Sequence, residues 1–338
     1  MRRVRRQGPA GVVVAALVLT VSGSTISAGE AAAATDRPGT LAAARTAKAI
    51  PQGTWVRNTI SSRGDVDWYR VTLTASRRAL ITLGSLPADY ELALFGADGR
   101  HVVTSSHGGR RFESLSVRLP KGDSFLRVRS TSGYDAGDSY VLRYRTPRAG
   151  VSTMSLRAIR SDTSVQVLGE FFNNSTSWQG VSEFQVEMIN SSGKVIRRWT
   201  GGIAGDAIPP YGRTYFSSVE TGLSAKAVRT ATFRVIPEGY VVPTPSPRPP
   251  LTVKRLRTKV DGYYSVHHFT VSTTSTKRVG EVWVYGLVYD AVGRLSYWDV
   301  TIIENLKAKG SATDLVITET ARSPRVTILR AIAPVNAV

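Results

Sequence analysis

Residues 181–199 recur, one hundred positions on, at 281–299. In each copy a strand-like run leads into a turn, Asn190-Ser191-Ser192-Gly193 or Asp290-Ala291-Val292-Gly293, and a second strand-like run leads out. Ile208-Pro209-Pro210-Tyr211-Gly212 has a counterpart in Leu306-Lys307-Ala308-Lys309-Gly310 at offset 98, and Asn173-Asn174-Ser175-Thr176 an approximate one in Ser272-Thr273-Thr274-Ser275. Strands and turns recurring in fixed order are one supersecondary design used twice. The repeat therefore predicts two copies of one β-sandwich, at 151–241 and 251–338. Between them, the Pro-rich stretch 242–250 reads as a stiff, extended linker with no place in a ladder.

Upstream of the repeat, 51–148 shows the same period of two in a different order. Tyr69, Val71 and Leu73 alternate with Trp68, Arg70 and Thr72; Tyr90, Leu92 and Leu94 alternate with Glu91 and Ala93; Leu115, Val117 and Leu119 follow suit. Leu126/Val128 and Tyr140/Leu142/Tyr144 continue the pattern, with turns at Asp98-Gly99, Gly108-Gly109, Lys121-Gly122 and Ser132-Gly133. About eight strands, each with one apolar face, require two sheets packed face to face.

In this segment Gly64-Asp65-Val66-Asp67-Trp68-Tyr69, Asp89-Tyr90-Glu91-Leu92-Ala93-Leu94-Phe95, Leu119-Pro120-Lys121-Gly122 and Tyr140-Val141-Leu142 resemble the bacterial pre-peptidase C-terminal domain, a jelly-roll-like β-sandwich. The resemblance implies a module that accompanies secreted hydrolases, with calcium-assisted collagen or polysaccharide binding in some members. Val284-Tyr285-Gly286-Leu287-Val288-Tyr289-Asp290-Ala291-Val292-Gly293 is similar to the FxLYD-type family of small immunoglobulin-like modules; in the first copy Ile189-Asn190 replaces the Tyr-Asp pair. That motif is structural, with Asp or Asn opening a turn and Gly accepting positive φ. The fold expected is thus all-β: one jelly-roll-like sandwich and two immunoglobulin-like repeats.

The N-terminus reads as a signal peptide over 1–34: Arg2, Arg3, Arg5 and Arg6 precede an apolar run, and Ala32-Ala33-Ala34 offers a cleavage site. The run falls short of the roughly 20 residues of a membrane span. Residues 35–50, Ala-rich and mildly basic, read as a flexible arm. Cleavage would remove four Arg and one Glu, lowering the formal charge by three, from +19 to +16, with 51–148 and 248–338 carrying +6 each. Such a surface attracts polyanions. The chain has no Cys, which excludes a disulfide framework, a thiolate metal site and a cysteine nucleophile.

Candidate sites follow from placement. Arg127 and Arg129 share one strand face, as do Arg143 and Arg145; were these strands neighbours, four guanidinium groups would form a plate. Lys254, Arg255, Arg257 and Lys259 form a second basic cluster. Asp65, Asp67 and Asp89 either cap turns or supply oxygens to calcium, the one cofactor considered. His267 and His268 are adjacent and so face opposite sides of a strand. His101 and His107 lie near Ser105-Ser106, but no orienting acid or oxyanion hole is legible. Trp68, Tyr134, Trp178, Tyr211, Tyr285, Tyr297 and Trp298 are the aromatic candidates for a sugar platform.

The expectation is a monomeric secreted or wall-associated protein, without enzymatic activity, that binds an extracellular polysaccharide, a cell-wall polymer or a secreted protein. No nucleic acid is expected, nor a transmembrane segment after cleavage. Weak modules on short linkers would gain avidity together. The alternative is an accessory aiding export, stability or docking of a secreted hydrolase.

Overall fold

The computed structural model describes residues 37–204, 207–245, 248–261, 264–319 and 326–333; the expected signal peptide lies outside them. Among the described residues no helix is long and apolar enough to cross a membrane. The architecture is all-β.

After the short helix α1 (Leu41–Thr46), eight strands run in order: β1 (Val56–Ile60), β2 (Val66–Leu73), β3 (Arg77–Gly84), β4 (Asp89–Phe95), β5 (His101–Ser105), β6 (Glu113–Leu119), β7 (Gly122–Ser132) and β8 (Asp135–Arg145). They form two antiparallel sheets, β1-β8-β3-β6 and β2-β7-β4-β5. This interleaving is the jelly roll. The alternation in the sequence supplies its core: Tyr69, Val71, Leu73, Tyr90, Leu92, Leu94, Leu126, Val128, Tyr140 and Leu142 all point between the sheets.

The segment read as a flexible arm is docked from residue 37 onward. Thr40 caps α1, its Oγ accepting from the Ala43 N–H at 3.2 Å. The Trp68 N–H donates to the Pro38 carbonyl at 3.0 Å, and the Ile50 N–H to the Arg70 carbonyl at 2.9 Å. Six residues cannot hold a helix by propensity. Packing holds this one: Trp68 and Phe125 lie on the outer face of their sheet, and Leu41 and Ala44 cover them. Fully burying such a side chain is favourable by about 1.5–3 kcal/mol.

The second sandwich comprises β9 (Val151–Arg160), β10 (Val165–Asn173), β11 (Gln179–Ile189), β12 (Val195–Ala204), β13 (Arg213–Glu220), α2 (Ala225–Thr230) and β14 (Thr232–Val241). The third comprises β15 (Leu251–Asp261), β16 (Tyr264–Thr273), β17 (Val279–Tyr289), β18 (Leu295–Leu306), β19 (Ser311–Glu319) and β20 (Val326–Ile332). Neighbour order matches within each group of three strands, β9-β10-β13 answering to β15-β16-β19 and β14-β11-β12 to β20-β17-β18. In the second sandwich, however, β12 also pairs with β13 from Gly202 to Ala204 and joins its two groups into one six-stranded sheet. The β11–β12 and β17–β18 turns also agree. Asn190 Oδ1 accepts from the N–H groups of Ser192 (3.1 Å) and Lys194 (2.9 Å), and Asp290 Oδ1 from those of Val292 (3.1 Å) and Arg294 (2.9 Å). Gly193 and Gly293 take the positive φ each turn needs, 80° and 73°.

One alignment shifts by a residue. Asn173 N–H and Thr273 N–H make the same 3.0 Å bond, to Gly212 and Gly310 carbonyls. Asn173 thus corresponds to Thr273, not to Ser272; polar residues too alike to fix the register had concealed this.

The sandwiches are not strung on free linkers. Leu168 and Tyr215, on the outer face of β9-β10-β13, pack against Tyr285, Leu287, Tyr289 and Leu295 of the third sandwich. Phe112 of the jelly roll joins them, its ring centroid 5.5 Å from that of Tyr289. Buried at this junction, the Glu170 carboxylate accepts from Tyr289 Oη (3.0 Å) and Ser155 Oγ (3.1 Å) and lies 3.5 Å from an Arg213 nitrogen. Gly84 abuts the β17–β18 turn, and the next N–H, of Ser85, donates to the Ala291 carbonyl at 2.7 Å. With both faces covered, much of β17 reads as a continuous apolar run, Trp283 to Tyr289.

Candidate functional site

The arginine plate does not assemble, because β7 and β8 belong to opposite sheets of the jelly roll. Arg127 and Arg129 converge instead on Glu91, directly across from Arg129 on β4, at 2.8 and 2.6 Å from its Oε1. Burial alone would raise the Glu91 carboxyl; the hydrogen bonds from Arg129 and Arg127 outweigh it and hold it below the ordinary carboxylate range. Arg127 further covers Phe95, 5.0 Å from the ring centroid. Arg143 stacks by Trp55 at 5.3 Å. Arg145 turns toward the junction, where burial first, then Arg143 and Arg213, lowers it to about 10. Arg127, Arg129 and Arg143 are thus engaged in contacts of the fold itself.

The other predicted cluster is assembled by a β-bulge. Along β15 the pairing with β16 shifts between Arg255 and Arg257, leaving Leu256 as the extra residue. Without it Lys254 would face away from Arg257 and Lys259. With it Lys254 pairs with Thr270, Arg257 with His268 and Lys259 with Val266, all on the outer face. Arg255 takes the inner side opposite Phe269, and its guanidinium donates to the Thr327 carbonyl. All four basic residues are exposed, as are Leu256 and Val260. The outer edge of β15 is unpaired in its sheet. His267 and His268 face opposite sides as expected, His267 buried between Thr258 Oγ1 (2.9 Å) and Thr318 Oγ1 (2.8 Å).

The three aspartates do not converge on one ion. Asp65 Oδ2 accepts from both the N–H (2.6 Å) and the hydroxyl (2.8 Å) of Ser61, a turn cap. Asp67 is fully buried and accepts from the Tyr140 hydroxyl, which also meets Tyr69 Oη. Asp89 Oδ1 is buried without a hydrogen-bond partner, but calcium takes about six to eight oxygens. Among the described residues no three His, Cys, Asp or Glu side chains gather in a way that could hold a metal ion. The residues present do not fit a calcium site.

Ser105 and His107 do have an acid nearby, Glu113 at the start of β6, which the β5–β6 connection folds back onto them. Buried Glu113 accepts from the Ser105 hydroxyl, from the His107 backbone N–H (2.6 Å) and from His107 Nδ1 (2.7 Å). A serine nucleophile directs its proton to the imidazole. Here the carboxylate receives it, and Ser105 Oγ stands 3.5 Å from Nδ1. This trio wires the β5–β6 connection, and Ser105 and His107 line an open groove of about 440 Å³ between those two strands while Glu113 stays buried behind them.

Most of the aromatic candidates are engaged. Trp68 lies under α1, and Tyr285 and Trp298 belong to the junction. Arg248 covers Trp178 at 5.1 Å and Arg78 covers Tyr211 at 3.7 Å. Tyr297 is half-buried; of the seven only Tyr134 is exposed.

A second cleft, of about 380 Å³, was not anticipated from the sequence. It lies where the jelly roll meets the second sandwich and is lined by Arg77, Arg78, Arg118, Arg148, Asn174 and Tyr211, among others. Its signal was the adjacent pair Arg77-Arg78, but only the pairing of Arg78 with Arg118 across β3 and β6 reveals the convergence.

No protein-family model matches the chain, and no curated protein matches it. Among solved structures it is similar to a Bacteroides uniformis beta-glucuronidase (12% identity, TM-score 0.31, covering 71% of this chain and 26% of that one). It is likewise similar to the Amycolatopsis orientalis exo-chitosanase CsxA (12%, TM-score 0.30, 74% and 27%). A Parabacteroides merdae beta-glucuronidase gives 12%, TM-score 0.27, 71% and 28%. The chain spans about a quarter of the length of these enzymes. At this degree of likeness the activities in those names say nothing of this chain.

Proposed function

We propose that this chain is an exported, non-catalytic binding protein that acts at the bacterial cell envelope or on an extracellular polymer, presenting its joined sandwiches as one body. The observation that carries this reading is the outer face of β15, where a single bulge brings Lys254, Arg257 and Lys259 to one side of an exposed edge strand. Three cations along an unpaired edge suit an extended anionic chain better than a compact ligand. The leader-like N-terminus supports export. The jelly-roll strand order supports reading 51–148 as a relative of the pre-peptidase C-terminal domain, and the shared strand order of the repeats supports reading them as immunoglobulin-like modules.

Co-sedimentation of the purified protein with insoluble bacterial cell walls, chitin, cellulose and collagen, at low and high salt, tests the proposal. Wall binding that weakens with salt and drops in a Lys254→Ala/Arg257→Ala/Lys259→Ala variant is the expected result, since exposed charges are screened within about 10 Å at 0.1 M salt. Wall binding untouched by that variant would remove β15 from the account, and binding to none of the four solids would remove the polymer.

A further inference from the structure

The cleft between the jelly roll and the second sandwich holds an electrostatic problem that the protein does not solve internally. Arg78 on β3 and Arg118 on β6 are directly paired across the sheet, and like charges in that position repel. Arg77 and Arg148 line the same cleft, and no Asp or Glu lines it. None of the four is ion-paired to a carboxylate among the described residues. Elsewhere the chain does supply such partners: Glu91 serves Arg127 and Arg129, and Glu187 serves Arg198 and Arg234.

The arginines are nevertheless held in place. Arg78 Nη1 donates to the Ser116 carbonyl (3.0 Å) and hydroxyl (3.3 Å), while its guanidinium lies over the Tyr211 ring. Arg118 Nε donates to Ser76 Oγ at 3.2 Å. Asn174 Nδ2 donates to the carbonyls of Pro147 (2.8 Å) and Arg148 (3.1 Å), pinning the connection that forms the rim. Tyr211 itself sits at φ 57°, a conformation non-glycine residues adopt at a cost, at the base of this arrangement. Arg78 Nε remains buried without a hydrogen-bond partner.

We infer that this cleft binds a phosphate group. Guanidinium forks pair with planar or tetrahedral oxyanions through two parallel bonds. A carboxylate has two oxygens and satisfies at most two such forks, whereas a phosphate group presents more oxygens in a tetrahedron and reaches several at once. About 380 Å³ is also far more than the roughly 30 Å³ one water occupies in the liquid, leaving room for the group to which a phosphate ester is attached. The inference is independent of the β15 reading.

The test is calorimetric titration of the purified full-length chain with inorganic phosphate, with glycerol phosphate, with a glycerol-phosphate polymer and with acetate, at matched ionic strength. Phosphate and its ester should bind about tenfold or more tightly than acetate, and Arg118→Ala/Arg148→Ala should weaken them by about tenfold or more. Both residues are exposed, so the variant should keep the wild-type melting midpoint, which a thermal scan verifies. The Lys254→Ala/Arg257→Ala/Lys259→Ala variant should bind phosphate as wild type does. Polymer binding would support an envelope phosphodiester as the source, and binding of the small phosphates alone would support a soluble one. Acetate binding as tightly as phosphate, or phosphate affinity unchanged in Arg118→Ala/Arg148→Ala, would overturn the inference.

Discussion

Tyr211 and Lys309 occupy the same left-handed backbone position in successive sandwiches, at φ 57° and 48°, each one residue before the glycine that closes the same turn. Tyr211 lies beneath Arg78; Lys309 is exposed, and its N–H donates to the Ser275 carbonyl at 2.8 Å. A left-handed non-glycine residue costs about 1–2 kcal/mol, of which glycine's extra chain entropy returns about 0.5–1. Lys309→Gly should therefore raise the melting midpoint by about 1–3 °C. Tyr211→Gly relieves the same conformation but loses the cation–π contact, worth about 0.5–2 kcal/mol, and should lower it. Paired thermal scans check this; shifts of the same sign would refute it.

Gly84 has no room for a side chain. A Cβ there would stand 2.6 Å from Val292 Cα and 2.7 Å from the Ala291 oxygen, both backbone atoms of the third sandwich. Gly84→Ala should force the jelly roll and that turn apart at a cost of about 1–3 kcal/mol. Hydrogen exchange reads this locally: the Ser85 amide, bonded across the junction, should exchange faster, while the Val71 amide in the jelly-roll core keeps its rate.

His267 makes the third sandwich acid-sensitive. Burial, then the Arg255 charge, pushes its pKa from 6.5 down to about 4. Above pH 6.5 the ring is neutral in both folded and unfolded chains, so it adds no pH dependence. Between pH 6.5 and about 4 the unfolded chain binds the proton and the folded one does not, so stability falls as pH falls. His267→Gln should flatten that part of a urea-midpoint profile measured from pH 7 to 4; a profile equally steep in the variant would exclude His267 as the cause.

Tyr140→Phe should be costly out of proportion to one oxygen. Its hydroxyl bonds to the buried Asp67 carboxylate and to Tyr69 Oη inside the jelly roll. Burial raises the Tyr69 and Tyr140 phenols well above the ordinary tyrosine value, so both stay protonated donors. Leaving a buried acceptor without its hydrogen bond costs about 1–3 kcal/mol. The double variant Asp67→Asn/Tyr140→Phe should lose less than the two single changes summed, which chemical denaturation of the four proteins measures.

How much of this was legible depended on whether a residue's role was local. The jelly-roll core followed from alternation, because Tyr69, Val71, Leu73 and their like obey the period of the strand itself. The repeat was legible because its turns use Asn190, Asp290 and two glycines whose backbone demands are local. The plate failed because alternation places Arg129 and Arg143 on faces but does not say which sheet those faces belong to. The bulge at Leu256 and the pairing of Arg78 with Arg118 were illegible for the same reason: each is a property of two strands. The docked helix escaped notice because Trp68 and Phe125 look like ordinary outward residues until one asks what covers them.

The apolar junction around Tyr215, Tyr285 and Tyr289 has a practical sequel. Cutting the chain at the proline-rich connection would yield two pieces, each with a freshly bared tyrosine- and leucine-rich flank. Such pieces would tend to clump or to recapture one another, so complementation between separately produced halves becomes the natural way to handle this protein in parts, and isolated repeats would need resurfacing before use.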